Sequence, residues 1–316
     1  MTTIDFNHIP VLAEQVLAAL APHSGGVYID GTVGGGGHAS LILEAGAPDA
    51  FLLGIDRDAE ARAAAAARLA PYAGRFCLAA GNYSEMDRLA AEQGISRVDG
   101  ILLDIGVSSH QLDAAERGFS YMQDAPLDMR MDQSQGMTAA ELVNEASPEQ
   151  LTDILYRYGE EKWSARIVQF ILEARSQQYI TSTGELVELI KKAIPKGARE
   201  KDQHPAKRTF QALRIAVNDE LGALERGLEA AIGLLRPGGV LGVITFHSLE
   251  DRIVKETFRY HSRDCVCPPG LPVCQCGHHA DVKLVNRKPL SASAEELAAN
   301  PRSRSANFRA VRKLPV

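Results

Sequence analysis

Three aspartates stand where an acid could do chemistry. Asp30, Asp56 and Asp104 each close a short, largely apolar run: Val27–Ile29, Phe51–Ile55 and Val98–Leu103. Such runs read as buried strands, so each acid is expected at a strand end. Seven residues follow Asp30, five of them glycine, and then an apolar helical pattern begins. Glycine takes positive φ freely and lets a ligand touch the backbone. Strand, glycine loop and helix in that order form the nucleotide corner of a doubly wound α/β fold. An acid at the head of the loop repels a pyrophosphate but accepts hydrogen bonds from an aminoacyl or ribosyl group. That favours S-adenosylmethionine over a dinucleotide. Asp56 follows Gly36 by about 20 residues, where an acid accepts ribose hydroxyls. Its alternative role is a helix cap before Ala59, for which Asp58 is equally placed. Gly81-Asn82-Tyr83 follows a further run, Phe76–Ala80. An aromatic or amide there can flank an adenine, or the segment is an ordinary turn.

The elements that must position these residues follow from the pattern. A helix is expected over Pro10–Leu20, then strand Val27–Asp30 and a helix over His38–Glu44. Strand Phe51–Ile55 and an alanine-rich helix Asp58–Leu69 come next. Strand Phe76–Ala80, helix Ser84–Gln93 and strand Val98–Leu103 complete four strand–helix alternations, the signature of a parallel sheet. In such a sheet ligands bind at the carboxyl ends of the strands. Alternation then stops. From about Gly106 to His204 the pattern shows no convincing strand, only an irregular stretch (Gln111–Gly136) and helices over Thr138–Glu145, Pro148–Tyr158, Lys162–Ser176 and Thr183–Ile194. A long helix over Ala206–Leu235 leads back to the turn Arg236–Gly239 and a fifth buried strand, Val240–Phe246. A helix from Leu249 follows, and Val282–Pro289 with Ala306–Leu314 could close the sheet as an antiparallel pair. The expected organisation is a doubly wound sheet domain over 1–105 and 205–316, with an all-helical domain over 106–204 inserted in it.

The chain's 316 residues suit one large domain with an insertion, or two domains. At 45% hydrophobic and 23% charged residues it can build a globular core. No run of about 18 apolar residues exists, which excludes a transmembrane helix. Met1–Asn7 has no basic or apolar leader pattern. An odd count of five cysteines without such a leader points to a reducing cytoplasm. The net charge of −6 argues against bulk nucleic-acid binding, but local distribution can override it. One basic concentration holds Lys191, Lys192, Lys196, Arg199, Lys201, Lys207 and Arg208. Another holds Arg302, Arg304, Arg309, Arg312 and Lys313. Each is either a solvated face or a phosphate-tracking surface. Cys265, Cys267, Cys274 and Cys276 form two C-x-C pairs around the stiff segment Pro268–Pro272. They could bind zinc or make a reduced surface loop, and no metal is assigned to the chemistry itself. Cys77, within a strand, reads as core.

The acids, the glycine loop and the turn-plus-strand 235–246 together resemble the motif series of class I methyltransferases. Longer stretches resemble one family within them, the bacterial 16S ribosomal RNA cytosine-N4 methyltransferases. These are residues 8–17, 28–38, 100–132, 158–167, 204–221, 244–255 and 300–313, nearly the whole chain. The resemblance implies cofactor contacts at Gly36, Gly37, His38, Asp56, Tyr83, Asp104 and Gln111. It implies methyl transfer to N4 of a decoding-site cytosine, in 16S ribosomal RNA within the small subunit. The target base must be unstacked or single-stranded. Asp104 and Gly106–Ser109 stand where amino-methylating relatives carry a (D/N)PPY motif, but this chain lacks the two prolines and the aromatic. Asp104 is therefore the first candidate for catalysis, with His247 and Ser248 second. Three alternatives stay open: a nicotinamide dehydrogenase, a methyltransferase acting on a small molecule, protein or other RNA, and a non-enzymatic RNA-binding or zinc-clip protein. Asp30 counts against the first, the basic runs against a small-molecule or protein substrate, and the three rim acids against the third. The oligomeric state is left open.

Overall fold

The computed structural model describes residues 10–200, 203–269, 271 and 273–315. Met1–Asn7, Lys201, Gly270 and Pro272, invoked above, lie outside them. The chain divides into two compact units, one running up to Gly106 and resuming at Leu221, the other spanning Val107–Glu220.

Among the described residues seven strands form the sheet of the first unit: β1 (Val27–Asp30), β2 (Phe51–Asp56), β3 (Phe76–Ala80), β4 (Val98–Asp104), β5 (Leu235–Thr245), β6 (Val282–Leu284) and β7 (Asn307–Lys313). Their order is β3-β2-β1-β4-β5-β7-β6. The first five are parallel, while β7 runs antiparallel to both β5 and β6. Alternate residues face opposite sides of a strand, and here both sides are buried. Ile29, Leu53, Leu103 and Leu241 join one apolar cluster with Leu224 and Leu228. Their neighbours Tyr28, Leu52, Leu102 and Val240 join another with Leu20, Ile42 and Leu69. A parallel sheet covered on both faces is the doubly wound arrangement that the alternation predicts. Chain order reverses between β1 and β4, which makes their carboxyl ends the topological switch point.

Several boundaries differ from the sequence pattern, among them the end of the helical unit, at Glu220 rather than His204. The first helix is Ala13–Leu20 rather than one starting at Pro10, because Leu12 takes a left-handed conformation with φ 54°. The expected helix over Ala206–Leu235 is two, Lys207–Asn218 and Glu220–Leu234, broken where Asp219 has φ 48°. The buried Asn218 amide beside the break accepts from Met131 N at 2.8 Å and donates to Met129 O at 2.8 Å. Periodicity does not register that tertiary anchor. The Arg236–Gly239 turn lies inside β5 rather than before it. Leu235 pairs with Val98 and Val240 with Gly100, so the turn is looped out as a bulge. Gly238 has φ 85°. A Cβ on Gly239 would sit 2.9–3.2 Å from three carbonyl oxygens.

The second unit is helical: Ser109–Asp113, Ala139–Glu145, Pro148–Gly159, Ser164–Arg175, Thr183–Ala193 and Lys207–Asn218. Its described residues contain no strand, only an isolated bridge from Pro126 to Ser182. Three helices start with reciprocal capping boxes, Thr138 with Glu141, Ser147 with Gln150 and Ser182 with Glu185. The apolar faces of the unit's longer helices bury Leu151, Leu155, Ile167, Ile171, Leu186, Ile190, Phe210 and Leu213 in one core. No helix among the described residues is long and apolar enough to cross a membrane.

Candidate cofactor and catalytic site

Asp30, Asp56 and Asp104 are the last residues of β1, β2 and β4, three neighbouring parallel strands. Asp30 pairs in register with Gly54 and Leu102, so Asp56 and Asp104 each extend two residues beyond it. The glycine loop fills the space above. Gly34 and Gly36 have φ 49° and 77°, a conformation that L side chains rarely adopt. Gly36 begins the helix Gly37–Ala45, whose first turn has no side-chain cap. Such a helix start offers free backbone N–H groups to a ligand.

Each acid has a different setting. Asp30 is 1% exposed. It accepts a hydrogen bond from Thr32 N at 3.2 Å. Burial pushes its carboxyl up to about 7, against the pull of His38. Asp56 accepts Gly34 N and Asp58 N, each at 2.9 Å, one on each carboxylate oxygen. Burial raises its pKa, and those two N–H groups oppose the rise. Two oxygens offer about four acceptor sites, so capacity remains for ribose hydroxyls. The helix-cap role falls to Asp58, whose side chain accepts Glu60 N at 3.0 Å. Asp104 is tied to the loop through its N–H, which donates to Thr32 Oγ1 at 2.7 Å. Thr32 is a positioning residue that its place between glycines did not reveal.

The chemically telling atoms belong to His38 and Asp104. His38 Nε2 lies 3.6 Å from Asp104 Oδ2, beyond a good hydrogen bond. His38 Nε2 and Asp104 Oδ1 are both buried without a hydrogen-bond partner. Buried polar atoms are almost always satisfied, and an orphaned pair facing a glycine loop fits a ligand with its own donors and acceptors. Tyr83 is buried at the end of β3, in a one-turn 3-10 helix capped by Asn82, whose side chain accepts Ser84 N. Its ring is held against Gly227, where a Cβ would lie 2.5 Å from Cδ2. Asn82 thus acts as a cap.

His247 sits just past β5, and one of its ring nitrogens is used by the fold. It caps the helix Ser248–His261, its Nδ1 accepting Glu250 N at 3.4 Å. Glu250 is fully buried and accepts Phe246 N at 2.8 Å. Its other oxygen lies 2.9 Å from His247 Nε2. Nδ1 thus seats a helix on the strand end, while Nε2 is buried without a hydrogen-bond partner. Gln111 belongs to the helical unit, is 5% exposed, and accepts Ser108 N at 3.1 Å through Oε1.

The basic runs are partly committed as well. Arg309 makes a two-pronged ion pair with Asp251 at 2.7 and 3.0 Å, and Lys313 pairs with Asp281 at 2.9 Å. Arg312 donates to Gly238 O. In the other run Lys191 pairs with Glu188, Arg208 pairs with Glu200, and Arg199 binds the Lys191 and Ile194 carbonyls. Lys192, Lys196 and Lys207 remain exposed.

A parallel sheet ending in an antiparallel hairpin, with acids closing three adjacent strands around a glycine loop, defines a class I methyltransferase. Residues 5–314 match the MraW methylase family, and the chain belongs to that family. Its relatives are similar from end to end. A protein of Symbiobacterium thermophilum named ribosomal RNA small subunit methyltransferase H is 58% identical over 98% of this chain and 97% of its own length. Proteins of the same name are 57% identical in Geobacter sulfurreducens and 55% in Heliobacterium modesticaldum, each over 98% of this chain and 99% of their own length.

Proposed function

We propose that the chain transfers a methyl group from S-adenosylmethionine to the N4 amine of one cytosine in the decoding site of 16S ribosomal RNA. What carries the reading is the pair of orphaned buried atoms, His38 Nε2 and Asp104 Oδ1, at the switch point of the sheet. Bound S-adenosylmethionine supplies an electrophilic methyl carbon on a sulfonium. The Gly36–Gly37 backbone would give it close approach, Asp56 would accept the ribose hydroxyls, and Tyr83 would flank the adenine. His38 and Asp104 hold the remaining polar groups. Gln111 is included on the family resemblance alone.

Cytosine N4 is a weak nucleophile because its lone pair is delocalised into the ring. Alignment with the methyl carbon supplies much of the rate. A fixed carboxylate that accepts the amine protons supplies more, and Asp104 Oδ1 is the acceptor proposed for that task. Transfer is direct. Attack through a covalent enzyme–base adduct needs a reactive thiol at the strand ends. Cys77 lies within β3, where burial pushes its thiol up and away from the nucleophilic form. The other four cysteines lie in the segment 262–281. The helical unit is proposed to recognise RNA, with the exposed Lys192, Lys196 and Lys207 meeting phosphates.

The test is transfer of a tritiated methyl group to 16S RNA. Naked RNA is compared with small subunits, and the product nucleoside is identified. N4-methylcytidine supports the proposal. 5-Methylcytidine, or a trapped adduct on 5-fluorocytosine RNA, refutes it.

A further inference from the structure

Four thiols converge in a segment that the methyl-transfer chemistry does not use. Cys265, Cys267, Cys274 and Cys276 have all their sulfurs within 4.8 Å of one another. Cys267 lies 4.0 Å from Cys274, Cys274 lies 3.5 Å from Cys276, and Cys276 lies 3.9 Å from Cys265. No pair is bonded as a disulfide, which would need about 2.0 Å. Zinc–thiolate bonds of about 2.3 Å in a tetrahedron place the sulfurs about 3.8 Å apart. The observed separations bracket that value.

Two backbone amides already point at sulfur. Val266 N donates to Cys276 at 3.5 Å and Gln275 N to Cys267 at 3.4 Å. Each comes from the residue inside one C-x-C pair and reaches across to the other pair. Such donors favour the thiolate form that a metal requires. His278 is not a fifth candidate. Its Nε2 lies 3.0 Å from Tyr260 O, and its ring packs on Tyr260 at 4.5 Å.

Apolar burial does not hold this segment. It joins the helix Ser248–His261 to β6 through about twenty residues, and none of those described is buried. Leu271 and Val273 are 44% and 69% exposed. Loops of that length without structure of their own are uncommon in compact domains. A small segment lacking a core is commonly stapled by disulfides or metal.

We propose that Cys265, Cys267, Cys274 and Cys276 bind one zinc ion as four thiolates, and that the ion is a structural clip for residues 262–281. Four protein ligands close the tetrahedron and leave no open position for water or substrate. Binding displaces the thiol protons to solvent. All-sulfur tetrahedral sites suit zinc or iron. Zinc is chosen because a closed four-thiolate site that only staples a loop calls for a metal without redox chemistry.

The test uses the full-length protein, purified without chelators. Elemental analysis should find about one zinc per chain. A Cys265→Ser/Cys276→Ser variant should carry none, while Cys77→Ser keeps its metal. In the native protein the four thiols should resist maleimide until a strong chelator is added. Reconstitution with Co(II) should give the intense visible bands of a tetrahedral tetrathiolate, a readout that stands even where the serine variant fails to fold. Native protein without zinc, with four thiols that react at once and no uptake of added Zn(II) or Co(II), overturns the proposal. Iron in stoichiometric amount overturns the choice of metal.

Discussion

Asp30 should make the protein less stable as pH rises toward neutrality, and Asp30→Asn should abolish that loss. The carboxyl is 1% exposed, and burial moves its midpoint from 3.8 to about 7. Below both values it is protonated whether the chain is folded or not. Between them the folded chain keeps a proton that the unfolded chain has lost, so stability falls as pH climbs. Above about 7 both states are ionised, and the folded state bears the full burden of a buried charge. At about 1.4 kcal/mol per tenfold change in proton affinity, the whole effect is about 4 kcal/mol. From about pH 5 to about pH 8 it is about 2.5 kcal/mol. Asparagine is isosteric and can still accept Thr32 N, but it does not titrate. Urea unfolding of both proteins across that range should show the variant gaining on the wild type by this amount. Parallel profiles would refute the reasoning. A cationic ligand beside Asp30 should favour its ionised form. Calorimetry in buffers of different ionisation enthalpy should therefore detect proton release when S-adenosylmethionine binds near neutral pH.

Other expectations concern the same rim and the helical unit. Asp56→Ala should weaken S-adenosylmethionine binding by about 1.5–3 kcal/mol, the range for hydrogen bonds to a charged acceptor. It should also lower the melting temperature by freeing Gly34 and Asp58; unchanged affinity by calorimetry removes Asp56 from the site. Asp104→Asn should cut single-turnover methyl transfer by about 100-fold or more, and a near-normal rate excludes Asp104 as the acceptor. Gly227→Ala drives a methyl group into the buried Tyr83 ring and should cost about 1–3 kcal/mol of stability in thermal or urea unfolding. A neutral effect would mean that Tyr83 is not held there. Charge reversal at Lys207 and Arg208 should weaken RNA binding and flatten its salt dependence, with cofactor affinity unchanged. Filter binding across a salt series decides it, and an unaltered slope makes this a merely solvated face.

What the sequence determined by itself is what depends on near neighbours. Short apolar runs closed by Asp30, Asp56 and Asp104 became β1, β2 and β4, because strand formation and the following glycine or helix start are local signals. The capped helices of the second unit are legible for the same reason: Thr138 with Glu141 and Ser182 with Glu185 lie one turn apart. Tertiary structure alone decided matters that turn on distant partners. His247 reads as an imidazole at a strand end, and only the fold shows that its Nδ1 caps a helix by accepting Glu250 N. Arg309 and Lys313 read as a free basic surface, yet Asp251 and Asp281, about 58 and 32 residues away, neutralise them. Asp30 is an ordinary acid in the sequence; burial first, then the neighbouring Asp104 and Asp56 carboxylates, raise its pKa to about 7. The helix break at Asp219 answers to the backbone of Met129 and Met131. Four cysteines in two close pairs suggest a metal, but whether their sulfurs stand a tetrahedron's edge apart depends on the path of the chain between them. Burial and long-range pairing have no period along the chain, so they could be read only once it was folded.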